Sequence, residues 1–379
     1  MNTIPNCLIW QDVDYDQQLI YKLEIMKKYF PDIDASIISS PIINFYRNKL
    51  RFDVGFDIKG NIVIGYALPK KQSNIRYVFP ADDMKHVHPR MKLIISWLQS
   101  YLNNNIKSWY SYHHNDSTLS SITIRTSFHT NDSIVIINIK CDEDEINDIV
   151  KYFTQMDFSS WDNFNFVIKF PKTQHVIIGH DYIYEKLDQY IFKISHESFF
   201  QVNTLATEVL YNTIKLLAIK YFNQCHDSNI LLDLCCGTGT IAMYLASTFT
   251  HVVGIDIKSS SIADAIENKN HNNIQNIDFI CNPIENVLDQ VIIDLKNKYD
   301  KPQIFAIIDP PRTGMHGGVQ ETINKCENLD HIIYVSCNII TFKRDMDILS
   351  KCFDIVETIY VDLFPHTPHC EVIMVLSRK

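Results

Sequence analysis

From about residue 229 onward the chain repeats one pattern: a short apolar run rich in β-branched residues, a turn, and then roughly 10 to 15 residues of helical character. The runs are NILLDL (229–234), HVVGID (251–256), IDFIC (277–281), IFAIID (304–309), IIYVSC (332–337), FDIVETIYV (353–361) and VIMVLS (372–377). Strands without polar alternation are buried on both faces, so the pattern predicts a mostly parallel sheet with helices on either side. The last two runs leave no room for a helix between them and predict an antiparallel edge.

Upstream the pattern changes. Residues 48–79 and 120–140 alternate apolar and polar positions, as strands with one solvated face do. Residues 15–30 and 90–103 read as helices. The expected class is therefore α/β, with an α+β domain over residues 1–197 ahead of the parallel-sheet domain over 198–379. The boundary falls in ISHESFFQVN, before a helix of about 204–222.

Across 379 residues, 35 basic side chains face 44 acidic ones, a net charge of −9 that excludes a globally cationic nucleic-acid coat. Residues 41–100 are the exception, with ten Lys or Arg against four Asp. That local excess marks either a solvated face or a patch for polyanions. Ten cysteines without a single C-x-x-C spacing read as reduced thiols of a cytoplasmic or nuclear protein, and neither a zinc nor an iron-sulfur site is expected. Asp12, Asp14 and Asp16, with no apolar run beside them, argue against a targeting peptide. No stretch has the length to span a bilayer, so no membrane partner is expected.

Four segments carry candidate chemistry. In LLDLCCGTGT a strand ends at Asp233 and turns through Gly237 and Gly239, residues that let backbone approach a ligand at the carboxyl edge of a sheet. Asp256 ends the next strand, some 20 residues on, where an acid accepts hydrogen bonds from ribose hydroxyls. Neither G-x-G-x-x-G nor a Lys-Ser/Thr pair follows the glycines, so S-adenosylmethionine, a nucleoside without phosphates, fits this lining better than NAD or a nucleotide triphosphate.

In IIDPPRTGMHGG, Asp309 precedes two prolines that form a wall unable to donate hydrogen bonds, and Arg312 adds a cation. In YVSCN, Cys337 ends the fifth strand at the same edge as Asp309, and the ionised fraction of such a thiol is an effective nucleophile. In VDLFPHTPHCEVIMVLS, Glu371 opens the terminal strand as a general-base candidate. A metal held by His366, His369, Cys370 and Glu371 is the weaker reading, because Cys370 and Glu371 point to opposite faces of a strand.

FFQVN, DLCCGTGT, IIDPPRTG, YVSCN and LFPHTPHCE occur in the order seen in the RNA uridine-C5 methyltransferase family. The chain resembles in particular the eukaryotic-type tRNA 5-methyluridine methyltransferases, and SPIINFYRNKLRFDVGF resembles their N-terminal substrate domain. This resemblance implies a Rossmann-like class I methyltransferase sheet and a monomer acting on tRNA, with the T-loop uridine 54 as target. It implies that Gln201, Asp233, Cys235, Gly237, Gly239, Thr240, Asp256 and Asp309 line the S-adenosylmethionine site. It makes Cys337 the nucleophile and Glu371 the base. Departures from the family pattern are Cys235 in place of an aromatic residue, Ile339 in place of proline, and Asn282-Pro283 after the third strand.

Tyr46, Arg47, Lys49, Arg51 and Arg312 are candidates for RNA contacts, and Phe200 or Phe364 for stacking on a base, although both also suit a core. Other readings are a cytosine-C5 methyltransferase, an amino-group methyltransferase suggested by D-P-P, and a tRNA-folding chaperone that retains a relic site.

Overall fold

The computed structural model describes residues 9–57, 59–67, 78–104, 119–170, 175–222 and 228–379. Lys70, Lys71 and Arg76 of the basic segment, and Cys7 and Cys225, lie outside the described residues.

Along the chain, helix α1 (Tyr15–Tyr29) and strand β1 (Ser36–Ile38) come first. A first sheet follows, from β2 (Lys49–Phe56), β3 (Ile62–Ala67), β4 (Val78–Pro80), helix α2 (Pro89–Asn104), β5 (Leu119–Thr126), β6 (Ser133–Ile139), helix α3 (Ile146–Thr154), β7 (Phe164–Lys169) and β8 (Val176–Ile178). A hairpin of β9 (Tyr182–Leu187) and β10 (Tyr190–Ser195) leads into helix α4 (Thr204–Phe222). The second sheet alternates β11 (Asn229–Leu234), α5 (Thr240–Leu245), β12 (His251–Asp256), α6 (Ser259–His271), β13 (Ile277–Cys281), α7 (Ile284–Lys298), β14 (Gln303–Ile308), α8 (Gly317–Lys325), β15 (Leu329–Ser336) and α9 (Ile339–Leu349). It ends with β16 (Phe353–Val361) and β17 (Glu371–Arg378).

The first sheet runs β4-β3-β2-β5-β6-β7-β8, antiparallel except where β6 and β7 pair in parallel through the α3 crossover. Its strands use the two-residue period fully. Val135, Ile137, Phe166 and Ile168 pack under α2 and α3, while Ile134, Ile136 and Val167 point the other way into the core that α4 shares with the second sheet. The hairpin is stitched across to α6, whose Asn268 and Asn272 side chains accept from the Lys193 and Ile191 amides.

The second sheet runs β1-β16-β17-β15-β14-β11-β12-β13. Seven of its strands match the runs read from the sequence, and β17 lies antiparallel between β15 and β16. The eighth comes from ahead of residue 197. Strand β1 pairs in parallel with β16, Ser36 opposite Ile359, and Met26 and Phe30 of α1 join the core under β11, β14, α8 and α9. The reason is an unsatisfied edge: β16 has only one ladder filled by β17, and the three-residue β1 closes the other. Lys22 of α1, fully buried, forms an ion pair with Asp362 and donates to the Phe364 carbonyl. Helix α1 and strand β1 are thus built into the second lobe.

Candidate functional site

A cleft of about 1240 Å³ opens along the carboxyl edge of the second sheet. Crossing order places the ends of β12, β11, β14 and β15 side by side there. Because β17 is antiparallel, its first residue falls on the same edge. Ser336 pairs with Val372, so Cys337 and Glu371 follow as neighbours just beyond the ladder. Both line the cleft together with Gln201, Cys235, Gly237, Thr240, Asp256, Asp309 and Arg312.

At one end the backbone does the shaping. Cys235, Gly237 and Gly239 all have positive φ, 72°, 54° and 77°, and the Cys235 and Cys236 amides both donate to the Ile255 carbonyl. A Cβ on Gly239 would stand 2.6 Å from the Phe279 ring, so only glycine lets the loop rest on that ring. On Gly237 a Cβ would meet nothing within 4 Å, because this residue faces the open cleft. The Asp256 carboxylate accepts from the Gly237 amide at 2.9 Å and the Lys258 amide at 2.8 Å, which fixes it at the cleft wall with lone pairs to spare.

Asp233 is fully buried beneath this loop rather than presented to the cleft. One of its oxygens accepts from the Ala242 amide and the other has no partner among the described residues. Burial, with the nearby Asp309 charge, pushes its carboxyl up to about 8. Its place is structural support for the turn into α5. Thr240 is held through its hydroxyl by Tyr211 at 2.9 Å.

At the other end the side chains are strained electrostatically. Glu371 is 1% exposed, and its Oε2 has no hydrogen-bond partner among the described residues. Burial and the adjacent Asp309 hold its carboxyl well above the usual range, with Arg312 opposing. Burial pushes Asp309 up to about 7. Cys337 is pushed up to about 12 by burial and by the Glu371 and Asp309 charges, with the positive charge of Arg312 opposing. Two acids, a thiol and one guanidinium thus share a desolvated corner where the acids cannot both ionise cheaply.

The RNA candidates separate. Arg47 lines the cleft, Lys49 is half-buried, and Arg51 is exposed on the same face of β2. Tyr46 is a correction: it is 1% exposed and its hydroxyl donates to the Pro365 carbonyl, so it braces the β16–β17 loop instead of meeting a phosphate. Phe200 and Phe364 are nearly buried but contribute to the cleft wall. Phe199, not singled out from the sequence, is 66% exposed at the cleft. The double phenylalanine hid which ring faces out. His366 is engaged by Gln18 and Asn44, and Cys370 faces the Val361 carbonyl, so neither converges with Glu371 on a common ion.

No helix among the described residues is long and apolar enough to cross a membrane. The protein is similar over 98% of its length to Pyrococcus abyssi tRNA (uracil-54, C5)-methyltransferase, solved in complex with S-adenosyl-L-homocysteine, with a TM-score of 0.75, 24% identity and 85% of that chain covered. That likeness establishes the Rossmann-like methyltransferase fold and its appended lobe. A protein of Acanthamoeba polyphaga mimivirus named as an RNA methyltransferase is 52% identical over 98% of this chain and 96% of its own length. The human tRNA (uracil-5-)-methyltransferase homolog B is 28% identical over 90% of this chain and 72% of its own. The family model for tRNA (Uracil-5-)-methyltransferase matches residues 14–379, and with the cleft just described this chain belongs to that family of RNA-modifying enzymes.

Proposed function

We propose that the protein methylates C5 of a uridine in tRNA, the T-loop uridine 54, through a transient covalent bond between Cys337 and C6 of the base. The observation that carries this reading is the side-by-side placement of Cys337 and Glu371 at one sheet edge, open to one cleft.

The residues present suit S-adenosylmethionine. Gly237 offers an open backbone surface and Asp256 a fixed acceptor for hydroxyls. The glycine loop lacks the Lys-Ser/Thr pair that phosphates require. Gln201, Cys235, Thr240 and Asp309 complete the wall that would hold it. When bound, the cofactor supplies an electrophilic methyl group on a sulfonium centre.

Uracil C5 is a weak nucleophile until C6 is saturated. The Cys337 thiolate adds to C6, forming the S–C6 bond and pushing the C5=C6 electron pair towards C5 and the O4 carbonyl. C5 then takes the methyl group. Glu371, as carboxylate, removes the C5 proton, the C5=C6 bond reforms and the thiolate leaves. Arg312, whose positive charge acts on Cys337, favours the ionised sulfur. The buried corner disfavours negative charge on Cys337, Asp309 and Glu371 alike, so the thiol proton of Cys337 and the carboxyl proton of Glu371 pass to solvent water as the base is seated, before the thiolate adds. A stacked uridine exposes neither C6 nor the ring face, so the target enters flipped or from an unstacked loop.

The test incubates the protein with labelled S-adenosylmethionine and total RNA lacking 5-methyluridine, then maps the labelled nucleoside. 5-Methyluridine in the T-loop is the expected product. Labelled 5-methylcytidine or an N-methylated base would replace this reading by another.

A further inference from the structure

Beyond the cleft, behind Phe199, the structure gathers cations without enough anions to match them. Lys49 on β2 stands directly across the ladder from Arg125 on β5. Its ammonium has no hydrogen bond or ion pair among the described residues, and burial together with the positive charges of Arg125, Lys258 and Lys169 disfavours its charged form. Arg125 is balanced by Glu185 and Asp264. The other lysines converge on a single residue, Glu197, whose carboxylate takes Lys169 at 3.0 Å and whose carbonyl takes Lys258 at 3.0 Å. Lys258 also lines the cleft, and Phe199 follows Glu197 by two positions, so this shelf is continuous with the cleft mouth.

We infer that Lys49, Lys169 and Lys258 form a seat for a backbone phosphate of the RNA strand whose base enters the cleft. The inference rests on the RNA-methylation reading and adds to it where the strand runs. A half-buried ammonium crowded by cations is costly unless an anion arrives, and a phosphodiester supplies one charge and several acceptors at once. Phosphate contacts of this kind set register, leaving discrimination to the flipped base.

A cation is the rival occupant, since His175, His196 and Glu197 hold ligand atoms within 4.8 Å of one another. Two features oppose it. The Lys169 ammonium already occupies the Glu197 carboxylate that a metal would need, and the Lys258 ammonium takes the carbonyl of the same residue.

The experiment measures the Kd of an unmodified tRNA transcript over a series of KCl concentrations. It compares the wild type with the Lys49→Gln/Lys169→Gln double variant and with Glu197→Gln. Thermal melting and S-adenosylhomocysteine affinity report folding. The double variant should bind roughly tenfold more weakly at moderate salt, and its log–log salt slope should be shallower by about one. Glu197→Gln should bind more tightly than wild type, an outcome that a merely structural role for the cluster does not produce. An unchanged slope in the double variant together with no gain in Glu197→Gln would overturn the phosphate seat. So would saturable binding of one equivalent of Zn²⁺ that His196→Ala abolishes. Should the wild type methylate RNA while either of these results is found, the seat alone falls; if it methylates no RNA at all, the catalytic reading falls as well.

Discussion

The two ends of the cleft are built on opposite principles. At the glycine loop, backbone amides hold the key carboxylate: Asp256 receives two of them and needs nothing more. At the β15–β17 end, Glu371 keeps an oxygen with no partner among the described residues, and Asp309 sits close by in the same desolvated corner. At the glycine-loop end the carboxylate exposed to the cleft is positioned before anything binds, and the unpartnered oxygen of Asp233 is sealed beneath the loop. The other is left in a state that only a substrate relieves, as reactive groups held by a surrounding scaffold often are. Specificity for a nucleoside handle comes from a rigid surface, and reactivity from groups denied their usual solvation.

Four substitutions probe that contrast. Cys337→Ala should reduce methyl transfer by on the order of 10⁴-fold or more while S-adenosylhomocysteine still binds, because the nucleophile is lost and the glycine-loop end is untouched. Full activity in this variant, followed with labelled cofactor, would refute covalent catalysis. Glu371→Gln should slow turnover by on the order of 10²- to 10⁴-fold and accumulate a protein–RNA adduct stable to denaturing gels, since elimination stalls after the methyl group is in place. Normal turnover without adduct would remove Glu371 from the base role.

Gly239→Ala attacks the other end. The added methyl meets the Phe279 ring and the backbone is held at φ 77°, so a destabilisation of about 1–3 kcal/mol is expected, with weaker S-adenosylhomocysteine binding. Calorimetric titration and thermal melting check it, and an unperturbed loop would show that the ring yields easily. The smallest effect is a difference in pH dependence. Asp309 binds its proton up to about pH 7 in the folded chain but only to the ordinary carboxylate range when unfolded. Between those limits the folded state holds more protons, so this group's contribution to stability falls as pH rises. Asp309→Asn should therefore gain stability relative to wild type from about pH 4 to 7, read from paired melting curves. A constant offset across that range would mean that the carboxyl is not desolvated.

Much of this was legible before the fold was known. The run NILLDL and its successors predict the sheet because parallel strands buried on both faces leave no polar alternation, and β11, β12 and β13 occupy the expected residues. Cys337 and Glu371 were readable because each lies at the end of an apolar run, where side chains reach a sheet edge. Tyr46 misled because tyrosine beside Arg47 looks the same whether its ring faces solvent or core. Strand β1 was missed because three residues, ending against a neighbour more than 300 positions away, carry no periodicity of their own. The lysine shelf was out of reach for the same reason: Lys49, Lys169 and Lys258 come from three distant segments.

Strand β17 gives the architecture one last consequence. It is an interior member of the second sheet, slotted between β15 and β16, and its first residue is the acid beside the thiol. A substitution that broke its pairing with β15 would open a gap through the middle of the lobe and part Cys337 from Glu371.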